Sequence, residues 1–179
     1  MHPQKKVKIA LTGGIGTGKT YISKKFFDIG IPVFYADEEA KKIYFSAAIV
    51  SFIKENFGDS LVINNEIDVI KLSEVVFSDI EKRRKLERVI HPLVMQQFED
   101  WVAQQEVSIV MLESAIIFEA GLEHYFDKIF VVDASTEVRI ERIRNRNPHL
   151  SEEEILQRIN SQMSQEEKCR KADLVIWNG

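Results

Sequence analysis

VKIALTGGIGTGKT, residues 7–20, is the stretch on which the fold turns. Its first half, Val7 to Thr12, is a short apolar and β-branched run that reads as a buried strand. Its second half, Gly13-Gly14-Ile15-Gly16-Thr17-Gly18-Lys19-Thr20, satisfies G-x-x-x-x-G-K-[ST], and a helical pattern from about Gly18 to Asp28 follows it, as the motif requires. Glycines let backbone amides converge on phosphate oxygens, and the amino end of a helix adds positive partial charge. The lysine ammonium reaches the β and γ phosphates, and the Thr20 hydroxyl can ligate Mg²⁺. The segment reads as a phosphate-binding loop (P-loop) for a magnesium-bound nucleotide, which by itself would serve a kinase, a GTPase switch or a motor ATPase. A dinucleotide-binding turn is excluded, because Lys19 stands where the third glycine belongs.

Outward from the loop, short β-rich runs alternate with helical stretches. Gly30 ends the first helix; residues 31–35 (IPVFY), 107–112 (VSIVML), 128–132 (KIFVV) and 173–177 (DLVIW) read as four more strands. Near-continuous apolar strands separated by helices call for a parallel sheet covered on both faces. The middle third shows helical patterns and no strand. Ser78 with Glu81 reads as a capping box opening a long helix, and Pro92 should kink or restart that helix after Ile90 and His91. Ser151 with Glu154, and Ser164 with Glu167, mark two later helix starts.

The bulk numbers exclude several classes. At 179 residues, with 45% apolar and 29% charged positions, the chain is of ordinary single-domain size and composition. A net charge of −4 argues against general nucleic-acid or anionic-membrane binding, so any anion site must be local. No apolar run approaches a membrane span, the start shows no signal peptide, and the single Cys169 fits a reducing cytoplasm. No N-K-x-D guanine-reading loop appears, which weighs against a GTPase switch.

Candidate chemistry lies at the strand ends. Asp37, just past the second strand, can orient and deprotonate an acceptor hydroxyl; helix capping explains its position equally well. Glu113 ends the third strand, where a carboxylate can hold Mg²⁺ or simply face solvent. Arg139, Arg142, Arg144 and Arg146 follow the fourth strand; Arg142 and Arg146 share a helix face and could reach a phosphoryl group, or form a solvated basic face. The run Lys82 to Lys85 reads as solvated, and His2, His124 and His149 as surface or loop positions.

ALTGGIGTGKT, GIPVFYADEEAK, KLERVIHPLV, ESAIIFEAG, VVDASTEVRIERIRNRN and QRINSQMSQEEKCRKADLVIWNG together resemble the dephospho-CoA kinases, in that family's order and over nearly the whole chain. The late pattern of Gln162, Lys168, Ala172-Asp173 and Asn178-Gly179 has no generic nucleotide-binding rationale, which makes the match specific. The resemblance implies an α/β fold of the P-loop NTPase type, a three-layer sandwich on a five-stranded parallel sheet. It implies a core at about 1–36, 106–140 and 172–179, a helical substrate-binding insert at about 37–105 and a helical lid at about 141–171. The implied reaction carries the γ-phosphate of ATP to the 3′-hydroxyl of dephospho-CoA.

Carried over by position, Asp37 is the base, acting with Lys19 and Arg142. Gly14, Ile15, Gly16, Thr17, Gly18, Lys19, Thr20 and Tyr21 contact ATP, joined by Arg142 and Arg146 from the lid. Asp37, His91 and Glu119 bind substrate, and Thr20 and Glu113 hold Mg²⁺. Tyr35 and Ala115 depart from the aspartate and proline common there, with substrate-side packing the expected consequence. Relatives commonly run past the position of Gly179 into a terminal helix. Another small-metabolite kinase of this architecture, or a non-catalytic nucleotide-binding module, are the competing readings.

Overall fold

The computed structural model describes residues 5–179, so His2 lies outside the described residues. In chain order the elements are β1 (Val7–Thr12), α1 (Lys19–Asp28), β2 (Val33–Tyr35), α2 (Ala36–Tyr44), α3 (Ala47–Phe57), β3 (Val62–Ile63), β4 (Glu66–Ile67), α4 (Val69–Ser78) and α5 (Ile80–Gln104). There follow β5 (Ile109–Glu113), β6 (Lys128–Asp133), α6 (Thr136–Arg146), α7 (Glu152–Asn160), α8 (Gln165–Lys171) and β7 (Leu174–Trp177). Two compact units result, one from the chain up to Tyr35 and from Trp101 onward, the other from Ala36–Asp100. The second boundary falls inside α5, a single helix.

In the first unit five parallel strands run in the order β2-β5-β1-β6-β7. β1 is central, and Ala10, Leu11 and Thr12 are wholly buried there, as a strand covered on both faces demands. Two aspartates pin the register at the amino ends of the strands. Asp127, just before β6, accepts from the Lys8 amide of β1 at 2.9 Å, and Asp173, just before β7, accepts from the Ile129 amide of β6 at 2.8 Å. The Lys8 amide, assisted by Lys5, holds the Asp127 carboxyl below the usual carboxylate range, and the Lys128 ammonium, assisted by the Ile129 amide, does the same for Asp173. The edge strand β7 is an exception to full cover, since Leu174, Val175 and Trp177 are exposed.

The helical second unit differs from the sequence expectation at three points. A short antiparallel hairpin, β3 with β4, sits where no strand was expected. Its two-residue turn is Asn64-Asn65, with φ of 51° and 66°, and asparagine is among the few residues that tolerate the left-handed region at both centres of such a turn. Ser78 does not open the long helix: it closes α4, its hydroxyl donating to the Val75 carbonyl at 3.1 Å. The cap of α5 is Asp79, whose Oδ1 accepts from the Glu81 and Lys82 amides. Pro92 does not restart α5, which runs through it. Both Pro92 and Arg88 are exposed, so solvent can satisfy the Arg88 carbonyl that the missing amide leaves free. Lys82 to Lys85 are exposed, and Arg83 and Arg84 pair with Glu87 and Glu81 on their own helix. Among the described residues, no helix is long and apolar enough to cross a membrane.

Candidate active site

The loop between β1 and α1 closes on itself and onto α6. Thr17 is buried and donates its hydroxyl to the Gly14 carbonyl at 2.9 Å, so its side chain braces the loop from inside. Gly16 (φ +84°) and Gly18 (φ +89°) occupy left-handed backbone. A β-carbon on Gly16 would stand 2.8 Å from the Arg139 carbonyl oxygen, and one on Gly18 would collide with the Asn178 side-chain amide. Both steric room and φ therefore demand glycine. Gly18 is also the N-cap of α1 and has no side chain to offer the first turn. The amino end of α1 is thus left to an anionic ligand.

Lys19 and Thr20 are the first two residues of that helix. The Thr20 hydroxyl donates to Glu113 Oε2 at 3.2 Å, and Glu113, 8% exposed, is the last residue of β5, in register with Leu11 and Tyr35. One hydroxyl and one carboxylate at the phosphate loop form a hard-oxygen pair suited to Mg²⁺, which draws its remaining ligands from water and substrate phosphate. Tyr21 is exposed, with the Lys25 ammonium 5.1 Å from its ring centroid.

Two arginines of α6, Arg139 and Arg142, grip the loop. Arg142 Nη1 donates to the carbonyls of Thr17 at 3.2 Å and Asn178 at 2.8 Å. Its companion is Arg139, buried at 5% exposure, whose Nε donates to the Ile15 carbonyl at 2.9 Å. Burial lowers the Arg139 pKa from its ordinary value, against the opposing pull of Asp133. Arg146 is exposed and donates to Asn147 Oδ1 at 3.4 Å. The i, i+3 spacing of Arg139 and Arg142 was as visible in the sequence as the i, i+4 spacing of Arg142 and Arg146. Only the packing chooses between them.

Three residues from the late segment complete the clasp. Gln162 Oε1 accepts from the Ile15 amide at 2.8 Å, and Gln165 Oε1 accepts from the Gly14 amide at 2.9 Å. The Gln165 amide nitrogen donates in turn to the Val132 carbonyl at 2.8 Å. Asn178 Nδ2 donates to the Thr17 carbonyl at 2.8 Å, while the Asn178 amide reaches the Asp133 carbonyl.

Glu119 has a structural partner. Its Oε1 lies 2.7 Å from the Nζ of Lys168, which is fully buried and also donates to the Ala115 carbonyl at 2.7 Å. The same Glu119 oxygen accepts from the Met163 amide at 3.1 Å. The pair thus ties the segment after β5 to the start of α8. Lys168→Met should lower unfolding stability by about 3 kcal/mol, because it strands the carboxylate and the carbonyl together; urea melts of both proteins measure it. The two departures noted at positions 35 and 115 also lie in this first unit. Tyr35 accepts from Ser23 of α1 at 3.5 Å, and the Ala115 carbonyl takes Lys168.

In the second unit, Asp37 is the second residue of α2, exposed and without a side-chain cap bond. Its carboxylate is therefore free of the capping role that position alone left open. His91 lies in α5, half-buried; burial lowers its pKa, Glu87 opposes and Arg83 reinforces the shift. A histidine whose folded pKa is depressed contributes fully above its ordinary value near 6.5, and that contribution is lost as pH falls through the folded value. The stability lost between pH 7.5 and pH 5 should accordingly shrink in His91→Gln, as paired denaturant melts at each pH would register. His124 and His149 are exposed.

A family model described as dephospho-CoA kinase matches residues 7–179. The dephospho-CoA kinase of Bacteroides fragilis is 36% identical over 174 residues, spanning 96% of this chain and 84% of that protein. Among solved structures, a Thermus thermophilus protein superposes with a TM-score of 0.88 at 32% identity, over 98% of this chain and 90% of that one. The dephospho-CoA kinase of Campylobacter jejuni does so with a TM-score of 0.68 at 27% identity, over 96% and 87%. A family match over residues 7–179 and a relative 36% identical over most of both chains settle the family: the chain belongs to the dephospho-CoA kinases.

Proposed function

We propose that the chain transfers the γ-phosphoryl group of ATP to the 3′-hydroxyl of the dephospho-CoA ribose, giving coenzyme A and ADP, the last step of coenzyme A synthesis. The observation that carries the reading is the Thr20–Glu113 pair at 3.2 Å beside an amino end of α1 with no cap of its own. That arrangement suits a magnesium-bound triphosphate.

Roles follow from chemistry. The amides at the end of the loop and in the first turn of α1 bind the phosphates, those of Gly14 and Ile15 being held by Gln165 and Gln162, and Lys19 neutralises charge on the β and γ groups. Thr20 and Glu113 would hold Mg²⁺, which when bound offsets the charge that develops on the phosphate oxygens. Arg142 commits only Nη1 to the loop carbonyls, so the rest of its guanidinium is available to the transferred group. Asp37 orients the acceptor hydroxyl and accepts its proton as the oxygen–phosphorus bond forms. The bond from the γ-phosphorus to the bridging oxygen breaks, and ADP leaves with that electron pair. Phosphoryl transfer needs mainly alignment, so an ordinary ionised carboxylate suffices.

The acceptor is a small molecule, and a cytoplasmic setting belongs to the same proposal, in keeping with the free thiol of Cys169. Incubation of purified protein with Mg·ATP and dephospho-CoA, followed by chromatography of the nucleotides, tests it. Equimolar ADP and coenzyme A are expected; ADP without coenzyme A would remove dephospho-CoA as the acceptor.

A further inference from the structure

Ile15 is held from three directions by one stretch of chain. Its amide donates to Gln162 Oε1 at 2.8 Å, its carbonyl accepts from Arg139 Nε at 2.9 Å, and its side chain packs on the apolar cluster of Ile143, Leu150 and Ile155. Ile15 is thereby fixed immediately ahead of Gly16, Thr17 and Gly18. The loop is also moulded on Arg139 itself. A β-carbon on Gly14 would stand 2.5 Å from Arg139 Nη2, and one on Gly16 would stand 3.0 Å from the Arg139 β-carbon.

The planar peptide turns this grip into a direction. The peptides of the loop are trans, and in a trans peptide the carbonyl oxygen and the next residue's N–H point to opposite sides. Arg139 takes the Ile15 carbonyl, so the Gly16 N–H faces away from that guanidinium. Arg142 and Asn178 take the Thr17 carbonyl at 3.2 and 2.8 Å, which turns the Gly18 N–H away from them in the same manner. Among the described residues, neither of these two amides has an acceptor in the protein. The Gly14 and Ile15 amides, by contrast, are already bonded to Gln165 and Gln162.

We propose that Arg139 is a positioning residue for phosphoryl transfer: without touching substrate, it aims the Gly16 amide at the phosphates by holding the carbonyl of Ile15. The inference rests on the ATP site proposed above and adds to it a residue that no nucleotide motif marks. Because the side chain is buried, the amide keeps its direction before the nucleotide arrives, and binding requires little reorganisation of the loop.

Glutamine and methionine separate the hydrogen bond from the rest of the side chain. Glutamine Nε2 lies as many bonds from the backbone as arginine Nε and can still donate to the Ile15 carbonyl, whereas methionine has the same reach and no donor. Both remove the charge. In calorimetric titration with Mg²⁺ and the non-hydrolysable β,γ-imido-ATP, Arg139→Met is expected to bind at least about tenfold more weakly than wild type, and Arg139→Gln within about threefold of it. The KM for dephospho-CoA should stay within about twofold of wild type in both. Equal affinities in the two folded variants would reduce Arg139 to packing and overturn the proposal.

A second reading uses the wild type alone, since a buried position is sensitive to any substitution. In amide-resolved ¹⁵N NMR spectra, the Gly16 and Gly18 protons should shift downfield when Mg²⁺ and β,γ-imido-ATP are added, while those of Gly14 and Ile15 move little. A Gly16 proton that stays in place would overturn the proposal even where neither variant folds. A wild type that binds the nucleotide and makes no coenzyme A loses its acceptor, and both readings still decide the role of Arg139. One that binds no magnesium nucleotide overturns this inference together with the ATP site.

Discussion

Asp37→Asn should reduce kcat by about 10²–10⁴ while leaving ATP binding within twofold of wild type. Asparagine keeps the shape of the side chain and one acceptor oxygen, so the acceptor can still dock. What it loses is the ability to take the hydroxyl proton as the new bond to phosphorus forms. The aspartate is exposed at the start of α2 and makes no cap bond, so the substitution breaks no structural contact and its effect reads on chemistry. Single-turnover rates with saturating dephospho-CoA, beside calorimetric ATP titration, separate the two quantities. Unchanged turnover in a folded Asp37→Asn protein would take Asp37 out of the mechanism.

Lys19→Ala is expected to act differently, lowering kcat/KM for ATP by about 10³ with losses in both terms. A cation facing the β and γ phosphates attracts them in the ground state and more strongly as charge shifts during transfer. Lys19 is the first residue of α1, next to a glycine N-cap, so its charge adds to the helix amino end instead of replacing it. Residual binding should therefore survive through the amides. A variant in which only KM rises, at constant kcat, would make Lys19 a binding residue without a part in transfer.

The fold was legible because the signals that set it are local. β1, α1 and the glycine loop are written in one continuous stretch, and the other core strands are short apolar runs bounded by breakers. The two late helix starts at Ser151 and Ser164 were equally plain, since each serine accepts the amide hydrogen bond its spacing implied. The Asn64-Asn65 hairpin was missed because strands of two residues carry no periodicity. Asp79 was missed as a cap because Ser78 with Glu81 offered a better-known pattern one residue earlier.

The site was half legible. Thr20 and Glu113 are 93 residues apart in sequence, yet each follows a strand whose end is recognisable, so their meeting could be anticipated. The late residues were matched without a reason, and the structure supplies one for four of them. Gln162 holds the Ile15 amide, Lys168 is buried against Ala115 and Glu119, Asp173 sets the register of β6, and Asn178 holds Thr17. Gln162 and Asn178 fix the shape of the glycine loop, while Lys168 and Asp173 brace the segments that flank it in the fold. Such roles depend on pairings more than 40 residues apart and leave no trace in spacing. Arg139 illustrates the same limit, because a buried arginine on a loop carbonyl looks in sequence like any member of a basic helix.

The most direct measurement is ³¹P NMR of the product formed from Mg·ATP and dephospho-CoA. A new phosphomonoester resonance coupled to the ribose 3′ proton, growing in step with ADP, is the result the account predicts. A phosphomonoester at any other position, or ATP consumed to ADP and inorganic phosphate alone, would contradict it.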